Sequence, residues 1–495
     1  MKNNYDIIII GAGAIGCAIA RELSRYDLSV VVLEKECDVA GGTSGRNSAV
    51  VHAGFNNRPG SRMAEFCVRG NEDFAQVCKA LDVPYRRTGK LIVALTEDDL
   101  PSLQRIYEQG LANGCRDLAL IGPAEMEKHV PGVPGIRAMY SPHTAITDPF
   151  LYTVALAENA QANGVEFRLN SAVTGIRRGV GSSRFGVQTE DGILWCSMLV
   201  NAAGLGAAAV SSMLGLAVPA VYPCRGEYYI LDKTSSDALP MPVYPAPAAG
   251  IGGLGVHLTP TVHGNVIIGP SAEYIGETDD YSCTRPVMEK LIEEAVQLMP
   301  SVDVSKVIGN FSGIRPKLAG PSEGGYHDFL IEEPKPGFIH LLGIESPGLT
   351  ASVPIGEEVC RMIISDLSRL PGRGRVPGKK TDFCGTRKGI VRFRDQSPEE
   401  QARLIASDPE YGDIFCRCQR ISKREIRQAI ENPLGARSIT AIKYRAWPTT
   451  GRCNGGYCLP KIVDLLIREY GMKPEEITYR SAGTEMFVGK VKGQE

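Results

Sequence analysis

Tyr5-Asp6-Ile7-Ile8-Ile9-Ile10-Gly11-Ala12-Gly13-Ala14-Ile15-Gly16 decides the fold of this chain. The run Tyr5–Ile10 is short, apolar and β-branched, as a strand buried on both faces must be. The glycines follow it without a gap, and Cys17 to Tyr26 then carries small and apolar residues at helical spacing. A second apolar strand, Ser29 to Leu33, ends in Glu34, 18 residues past Gly16. Strand, G-x-G-x-x-G turn, helix, strand and acid together predict a dinucleotide-binding βαβ unit. Gly11 allows the tight turn, Gly13 lets a pyrophosphate approach the backbone, and Gly16 lets the helix pack close to the strand. The helix N-terminus offers N–H groups and a positive dipole end to the phosphates. Glu34 stands where an acid binds ribose hydroxyls.

At 495 residues the whole chain is long enough for two or three domains. Hydrophobic residues make up 43% and charged residues 22%, and the formal net charge is −2. That balance describes an ordinary globular protein and gives no electrostatic reason to expect nucleic acid. The N-terminus enters a strand within five residues and no apolar run approaches bilayer length, so a cytoplasmic protein without a transmembrane segment is expected, with any membrane contact made through a partner. Fourteen cysteines in that setting are expected as buried thiols or metal ligands.

Gly41-Gly42-Thr43-Ser44-Gly45-Arg46-Asn47-Ser48 reads as a loop of small polar donors lying along a cofactor. It leads into Ala49-Val50-Val51-His52-Ala53-Gly54. Helices are expected over Met63–Leu81, Glu97–Gly114, Pro286–Met299 and Ala351–Leu367, and from Thr147-Asp148-Pro149 to about Asn163, where Asp148 is an N-cap and Pro149 the first helical residue. Strands are expected over Leu91–Leu95, Phe167–Ile176, Phe185–Thr189, Leu199–Gly204 and Phe338–Gly343. From Arg225 to Pro270 the pattern changes to short strands and turns, which suggests an antiparallel sheet inserted between cofactor-binding segments. Leu370 to Lys388 is basic, Gly/Pro-rich and aperiodic, and reads as a linker.

These pieces resemble the D-amino-acid-oxidase-type flavoproteins from Tyr5 to about Leu367. The likeness rests on the opening turn, on Gly42–Ser48, on Asn201-Ala202-Ala203-Gly204 and on Pro347-Gly348-Leu349-Thr350. The resemblance implies an α/β fold: a Rossmann-like FAD-binding domain with an inserted antiparallel-sheet substrate domain. Cofactor segments are then expected at about 1–88, 145–222 and 310–367, and substrate segments at about 89–144 and 223–309. A linker would span 368–396, and a third unit 397–495. It further implies that FAD is contacted by Gly11, Gly13, Ala14, Ile15, Gly16, Glu34, Lys35, Thr43, Ser44, Arg46, Asn47, Ser48, Val173, Gly204, Gly348, Leu349 and Thr350. Within this group the chain is similar to L-2-hydroxyglutarate dehydrogenases at His52-Ala53-Gly54, Gly89–Ala94, Arg225–Tyr228, Gly255–Thr259, Gly269-Pro270 and Glu345-Ser346-Pro347. Gly313-Ile314-Arg315-Pro316 departs from them and looks more like FAD-dependent glycerol-3-phosphate dehydrogenases.

The third unit carries Cys416-Arg417-Cys418 and, after 34 residues, Cys453-Asn454-Gly455-Gly456-Tyr457-Cys458. Four thiolates suit a [2Fe–2S] cluster, and they also suit structural zinc, since spacing alone does not choose the metal. The spacing resembles the bacterioferritin-associated-ferredoxin-like domain, which implies a small C-terminal iron–sulfur domain and the [2Fe–2S] cluster.

A flavin takes two electrons as hydride and a cluster takes one at a time, so the pair implies a dehydrogenase with a downstream one-electron acceptor or partner subunit. His52 and His257 are the candidate bases for an alcohol proton. His129, His143, His263, His327 and His340 have less context. Arg315 suits bidentate capture of carboxylate or phosphate, with Lys317 beside it. The first substrate expectation is a small anionic 2-hydroxy acid such as L-2-hydroxyglutarate. Glycerol 3-phosphate is the second, an amine or opine the third, and a non-catalytic electron-transfer subunit the remaining alternative.

Overall fold

The computed structural model describes residues 2–179, 184–247, 255–323, 326–369 and 377–489. Its first sheet grows from the opening strand Asn4–Ile10, which pairs in parallel with Val30–Leu33 on one side and Gly192–Asn201 on the other. Glu166–Arg168 extends the sheet in parallel beyond Val30–Leu33. Phe338–Leu342 pairs in parallel with the end of Gly192–Asn201. Successive side chains of a strand point to opposite faces. Accordingly Ile7 and Ile9 pack under the helices Ala14–Leu23, Pro149–Ala162 and Ser352–Ser368, while Ile8 and Ile10 join Phe185, Leu194 and Leu199 on the other face. Burying each such side chain contributes on the order of 1.5–3 kcal/mol. Asp148 caps its helix as expected, its Oδ1 accepting the Leu151 N–H at 2.9 Å. The expected strand Phe167–Ile176 is instead two strands, Glu166–Arg168 and Gly175–Arg178, parted by an irregular stretch with Asn170 at φ 52°.

Among the described residues the second sheet has nine strands and is mostly antiparallel, as the pattern change near Arg225 implied. Its long hairpin-like pair is Tyr222–Leu231 against Val307–Lys317. The whole of Val307–Lys317 therefore belongs to the substrate sheet. The boundary expected near 310 between substrate and cofactor segments thus falls inside this strand, which runs on to Lys317.

A third core gathers Phe415, Ile421, Ile426, Ile439, Ile442, Ile462 and Leu466 around Cys416 and Cys458. Residues 370–376 of the expected linker lie outside the described residues. The part from 377 is not a free tether: Lys380 N–H reaches Arg25 O at 2.8 Å, Asn159 donates to Cys384 O, and Arg387 pairs with Glu158 at 2.6 Å. No helix among the described residues is long and apolar enough to cross a membrane.

Candidate active site and iron–sulfur module

The glycine turn is a cradle with no room for side chains. Gly11 has φ +101°, and a Cβ there would lie 2.6 Å from Ala202 O. A Cβ on Gly16 would meet Gly11 O at 1.9 Å, which is the close strand–helix packing expected of the third glycine. Helix Ala14–Leu23 begins at Gly13 without a side-chain cap from that residue, and Ser44 Oγ accepts the Ala14 N–H at 2.9 Å. Ile15 follows in the first turn, half-buried against the parallel-sheet core. Glu34 accepts the Ala12 N–H at 2.7 Å and the Glu36 N–H at 3.0 Å. A carboxylate has about four lone-pair sites, so acceptors remain for ribose hydroxyls. Lys35, in contrast, is exposed and lies 3.9 Å from Glu36. Val173 packs on the far face of the sheet beside Tyr5 and Leu33.

The polar loop spans the two domains. Thr43–Gly45 forms a 3₁₀ turn braced by Asn47, whose Nδ2 donates to Ser44 O at 2.8 Å and whose Oδ1 accepts the Ala49 N–H at 2.8 Å. Thr43 Oγ1 donates to Ile314 O at 2.7 Å, and Arg46 donates to Ser312 O at 3.1 Å, so the loop is tied to the substrate sheet. Ser48 Oγ lies 3.4 Å from His257 Nε2. Gly204, at φ +56°, and Gly348, whose Cβ would lie 2.7 Å from Glu345 O, complete the turns around the same end of the parallel sheet. Leu349 packs on the core beneath that end. Thr350 Oγ1 accepts the His52 N–H at 3.0 Å.

His52 and His257 meet there from different domains. The His52 ring stands 3.3 Å from Ser346 Oγ on the closing turn. Burial, and then the nearby Lys90 ammonium, pull its pKa down to about 3. His257 lies in the strand His257–Pro260, with Nδ1 3.0 Å from Gly255 O. That contact assigns the proton to Nδ1 and leaves Nε2 as an acceptor facing Ser48. Burial first, then the charge on Lys90, hold the His257 ring well below the ordinary imidazole range. Both rings are thus neutral and able to accept a proton. The other histidines are occupied: His263 on Asp148, His340 between Ser211 and Glu332, His143 on Asp117, His327 on Asp328 O, and His129 stacked on Tyr140.

Arg315 is held by carbonyls, with Nη2 donating to Ser271 O at 2.5 Å and Nε facing Cys224 O at 3.5 Å. Among the described residues no carboxylate pairs with its charge, and it acts electrostatically on Tyr228 and His257. Lys317 differs from expectation. Its Nζ sits 2.9 Å from both oxygens of Glu345, and both side chains are about one-tenth exposed. The reason is positional: the end of the strand brings Lys317 against the closing turn, where Glu345 neutralises it.

Lys90 is the residue that sequence reasoning passed over. It is fully buried, and its Nζ stands 3.3 Å from the Tyr244 ring centroid. The one available signal was a lysine between a glycine and the apolar strand Leu91–Ala94.

In the third unit the four cysteines form two pairs. Cys418 and Cys453 have sulfurs 3.5 Å apart, and a hydrogen bond from Cys458 draws the Cys416 thiol down to about 6. Among the described residues no three potential ligands converge on one point. Backbone N–H groups of Gln419, Thr449 and Cys418 face the Cys416 sulfur, and those of Tyr457 and Gly455 face Cys453. A Cβ on Gly451 would come 2.4 Å from Cys418 Cβ. Two thiol pairs under converging N–H groups fit a cluster in which four thiolates hold two irons. Cys418→Ser is expected to remove the cluster's visible and EPR signals while the FAD content stays at one per chain. Iron, sulfide and flavin analysis of anaerobically purified protein checks this.

The module is docked onto the flavin loop. Arg445, fully buried, makes a bidentate pair with Asp38 at 2.6 and 3.0 Å. Trp447 Nε1 donates to Asp148 Oδ2 at 2.8 Å, and its ring lies tilted at 39° against His263 with centroids 3.7 Å apart. Tyr444 stacks on Phe150 at 4.5 Å, and its hydroxyl lies against Gly45.

Known proteins share these features. Residues 6–362 match the FAD dependent oxidoreductase family, and residues 414–468 match the BFD-like [2Fe-2S] binding domain. A glycerol 3-phosphate dehydrogenase of Caloramator mitchellensis is 35% identical over 99% of both chains. The mitochondrial L-2-hydroxyglutarate dehydrogenase of Arabidopsis thaliana is 33% identical over 73% of this chain and 84% of its own. Dithionite-reduced L-α-glycerophosphate oxidase from Mycoplasma pneumoniae, solved with FAD bound, superimposes with a TM-score of 0.69 at 27% identity, over 77% of this chain and 98% of its own. The glycine cradle, the neutral histidine pair and the paired cysteines thus stand in a recognised setting, and the chain belongs to the FAD-dependent oxidoreductase family, with a C-terminal [2Fe–2S]-binding domain of the BFD-like type.

Proposed function

We propose that this enzyme is an FAD-dependent glycerol-3-phosphate dehydrogenase. The observation that carries the reading is the end-to-end likeness to the Caloramator mitchellensis enzyme, which includes the third unit, whereas the Arabidopsis thaliana relative matches 73% of this chain. The 2-hydroxy acid put first on the sequence alone therefore becomes the second reading. Gly313-Ile314-Arg315-Pro316, the element that departed from the hydroxyglutarate pattern, points the same way.

In this reading Arg315 holds the substrate's phosphate, its guanidinium oriented by Ser271 O and Cys224 O. The C2 hydroxyl lies against His52, whose neutral ring accepts the hydroxyl proton at Nε2. In the structure that nitrogen faces Ser346 Oγ at 3.3 Å, a contact the substrate's hydroxyl would replace. His257, with its proton fixed on Nδ1, presents Nε2 beside Ser48 and orients the substrate's remaining hydroxyl. The Gly11–Gly16 turn, Glu34, Ser44 and Thr350 are the residues that would hold FAD, which supplies a two-electron acceptor when bound. Cys416, Cys418, Cys453 and Cys458 would hold the cluster that passes electrons singly to an external acceptor.

Anaerobic mixing of the holoenzyme with sn-glycerol 3-phosphate, L-2-hydroxyglutarate and amino acids tests the proposal. Bleaching of the flavin band by glycerol 3-phosphate, at least tenfold faster than by the others at equal concentration, is the expected outcome. Bleaching by hydroxyglutarate and not by the phosphate ester would restore the hydroxy acid. No bleaching by any of them would favour an electron-transfer subunit.

A further inference from the structure

Lys90 is not needed to explain the fold, and its surroundings do not explain it. Its side chain is wholly buried, and Nζ has no hydrogen-bond partner among the described residues. Its neighbours are ring faces: Tyr244 at 3.3 Å and Phe55 at 5.2 Å. A buried amine without an acceptor is costly, and a cation–π contact returns only part of what desolvation takes. An apolar residue of the same length would fill this space without that cost.

The amine is also within electrostatic reach of the site's two histidines. Tyr244, over which it sits, stacks on His257 at 3.6 Å and 11°. Its charge reaches the rings of both His52 and His257, and that of Arg315 reaches His257 as well. Charge matching then bears on the ligand. A phosphate monoester carries about −1.5 to −2 at neutral pH. Lys317 is neutralised by Glu345, which leaves Arg315 as a standing charge and Lys90, whose pKa burial pushes well below the ordinary lysine range, as an amine that takes up its proton when an anion lies beside it.

We propose that Lys90 is a substrate-binding residue, its ammonium donating to the phosphate of the substrate as the second cation beside Arg315. The inference rests on the phosphate-ester reading above. It differs from a structural role in which Lys90 only anchors Tyr244.

The test uses holoenzyme with oxidised flavin and intact cluster. Dihydroxyacetone phosphate and uncharged dihydroxyacetone are each titrated against it, with binding read from the flavin visible band. Wild type is expected to bind the phosphorylated ketone far more tightly. In Lys90→Met, a variant of similar length that keeps the pocket apolar, this preference should fall by roughly 30-fold or more, the loss typical when a buried charged pair is broken. Affinity for dihydroxyacetone should change little, and Lys90→Arg should recover part of the preference. Equal weakening of both ligands, or an unchanged preference in Lys90→Met, would overturn the proposal while leaving the reading of the enzyme intact. A wild type that glycerol 3-phosphate does not reduce would overturn that reading and this inference with it.

Discussion

A His52→Ala enzyme is expected to reduce its flavin roughly 100 to 10,000 times more slowly than wild type at saturating substrate, the range that a positioned general base supplies. The expectation follows from where His52 stands. Its backbone N–H is bound by Thr350 on the turn that closes the cofactor site, and its ring lies 3.3 Å from Ser346 on the same turn. Of the two neutral histidines it is therefore the one tied to the flavin domain, whereas His257 is carried by the substrate sheet; each ring presents Nε2 to a serine, Ser346 for His52 and Ser48 for His257. The His52 ring must be unprotonated to work. Its pKa is lowered to about 3, so the working form persists as the pH falls through the ordinary imidazole value of about 6.5. Once ionisation of the phosphate of the proposed substrate is allowed for, kcat/KM should show no acid limb near pH 6.5. Stopped-flow reduction of His52→Ala and His257→Ala, each with normal flavin content, separates the roles. The His257 variant should lose affinity more than limiting rate. A His52→Ala rate within about threefold of wild type would move the base elsewhere.

The part of this site that sequence could reveal was the part built by local rules. The strand–turn–helix at Tyr5–Tyr26 is legible because Gly11, Gly13 and Gly16 are needed by backbone geometry within one turn, and the cysteine pairs because their spacing is set by one small unit. The substrate side is different. Val307–Lys317 is polar and interrupted by glycine and proline, so it lacks strand periodicity, and only its pairing with Tyr222–Leu231 makes it a strand. Lys317 and Arg315 are alike in sequence, two residues apart. What separates them is Glu345, brought against Lys317 from another part of the chain. Lys90 gave little signal for the same reason: its meaning comes from Tyr244, more than 150 residues later.

The docking of the third unit was illegible too, and it bears on function. The basic stretch after Leu367 reads as a spacer, which would leave an iron–sulfur unit swinging free. Instead Arg445 is buried against Asp38 and Glu158, and Trp447, His263 and Asp148 form one polar cluster between the units. Buried ion pairs contribute little net stability but fix geometry, since leaving either partner unpaired is costly. The docking seats Tyr444 against Gly45, so the segments that would hold the two redox groups are tied to each other.

Arg315→Ala is expected to lower kcat/KM by roughly 30-fold to several-thousand-fold with FAD and cluster retained. The range corresponds to about 2–5 kcal/mol, the usual cost of removing one partner from a buried charged pair. Arg315 is not a loose surface charge. It lies in a strand, with Pro316 restricting its backbone, and two carbonyls aim its guanidinium. Those contacts engage Nε and Nη2, which leaves Nη1 and the remaining N–H groups for an anionic oxygen. Arg315→Lys should recover only part of the loss, because an ammonium cannot reproduce the planar fork. The split between constants reports the role. Recovery of kcat at saturating substrate would mean that Arg315 binds ground and transition states alike; a persistent loss would mean that it also holds charge that develops as the hydroxyl proton leaves. Steady-state kinetics with an artificial acceptor measures both. An Arg315→Ala enzyme within about twofold of wild type would show that the substrate's anionic group lies elsewhere, and Lys90 would then be the cation to examine first.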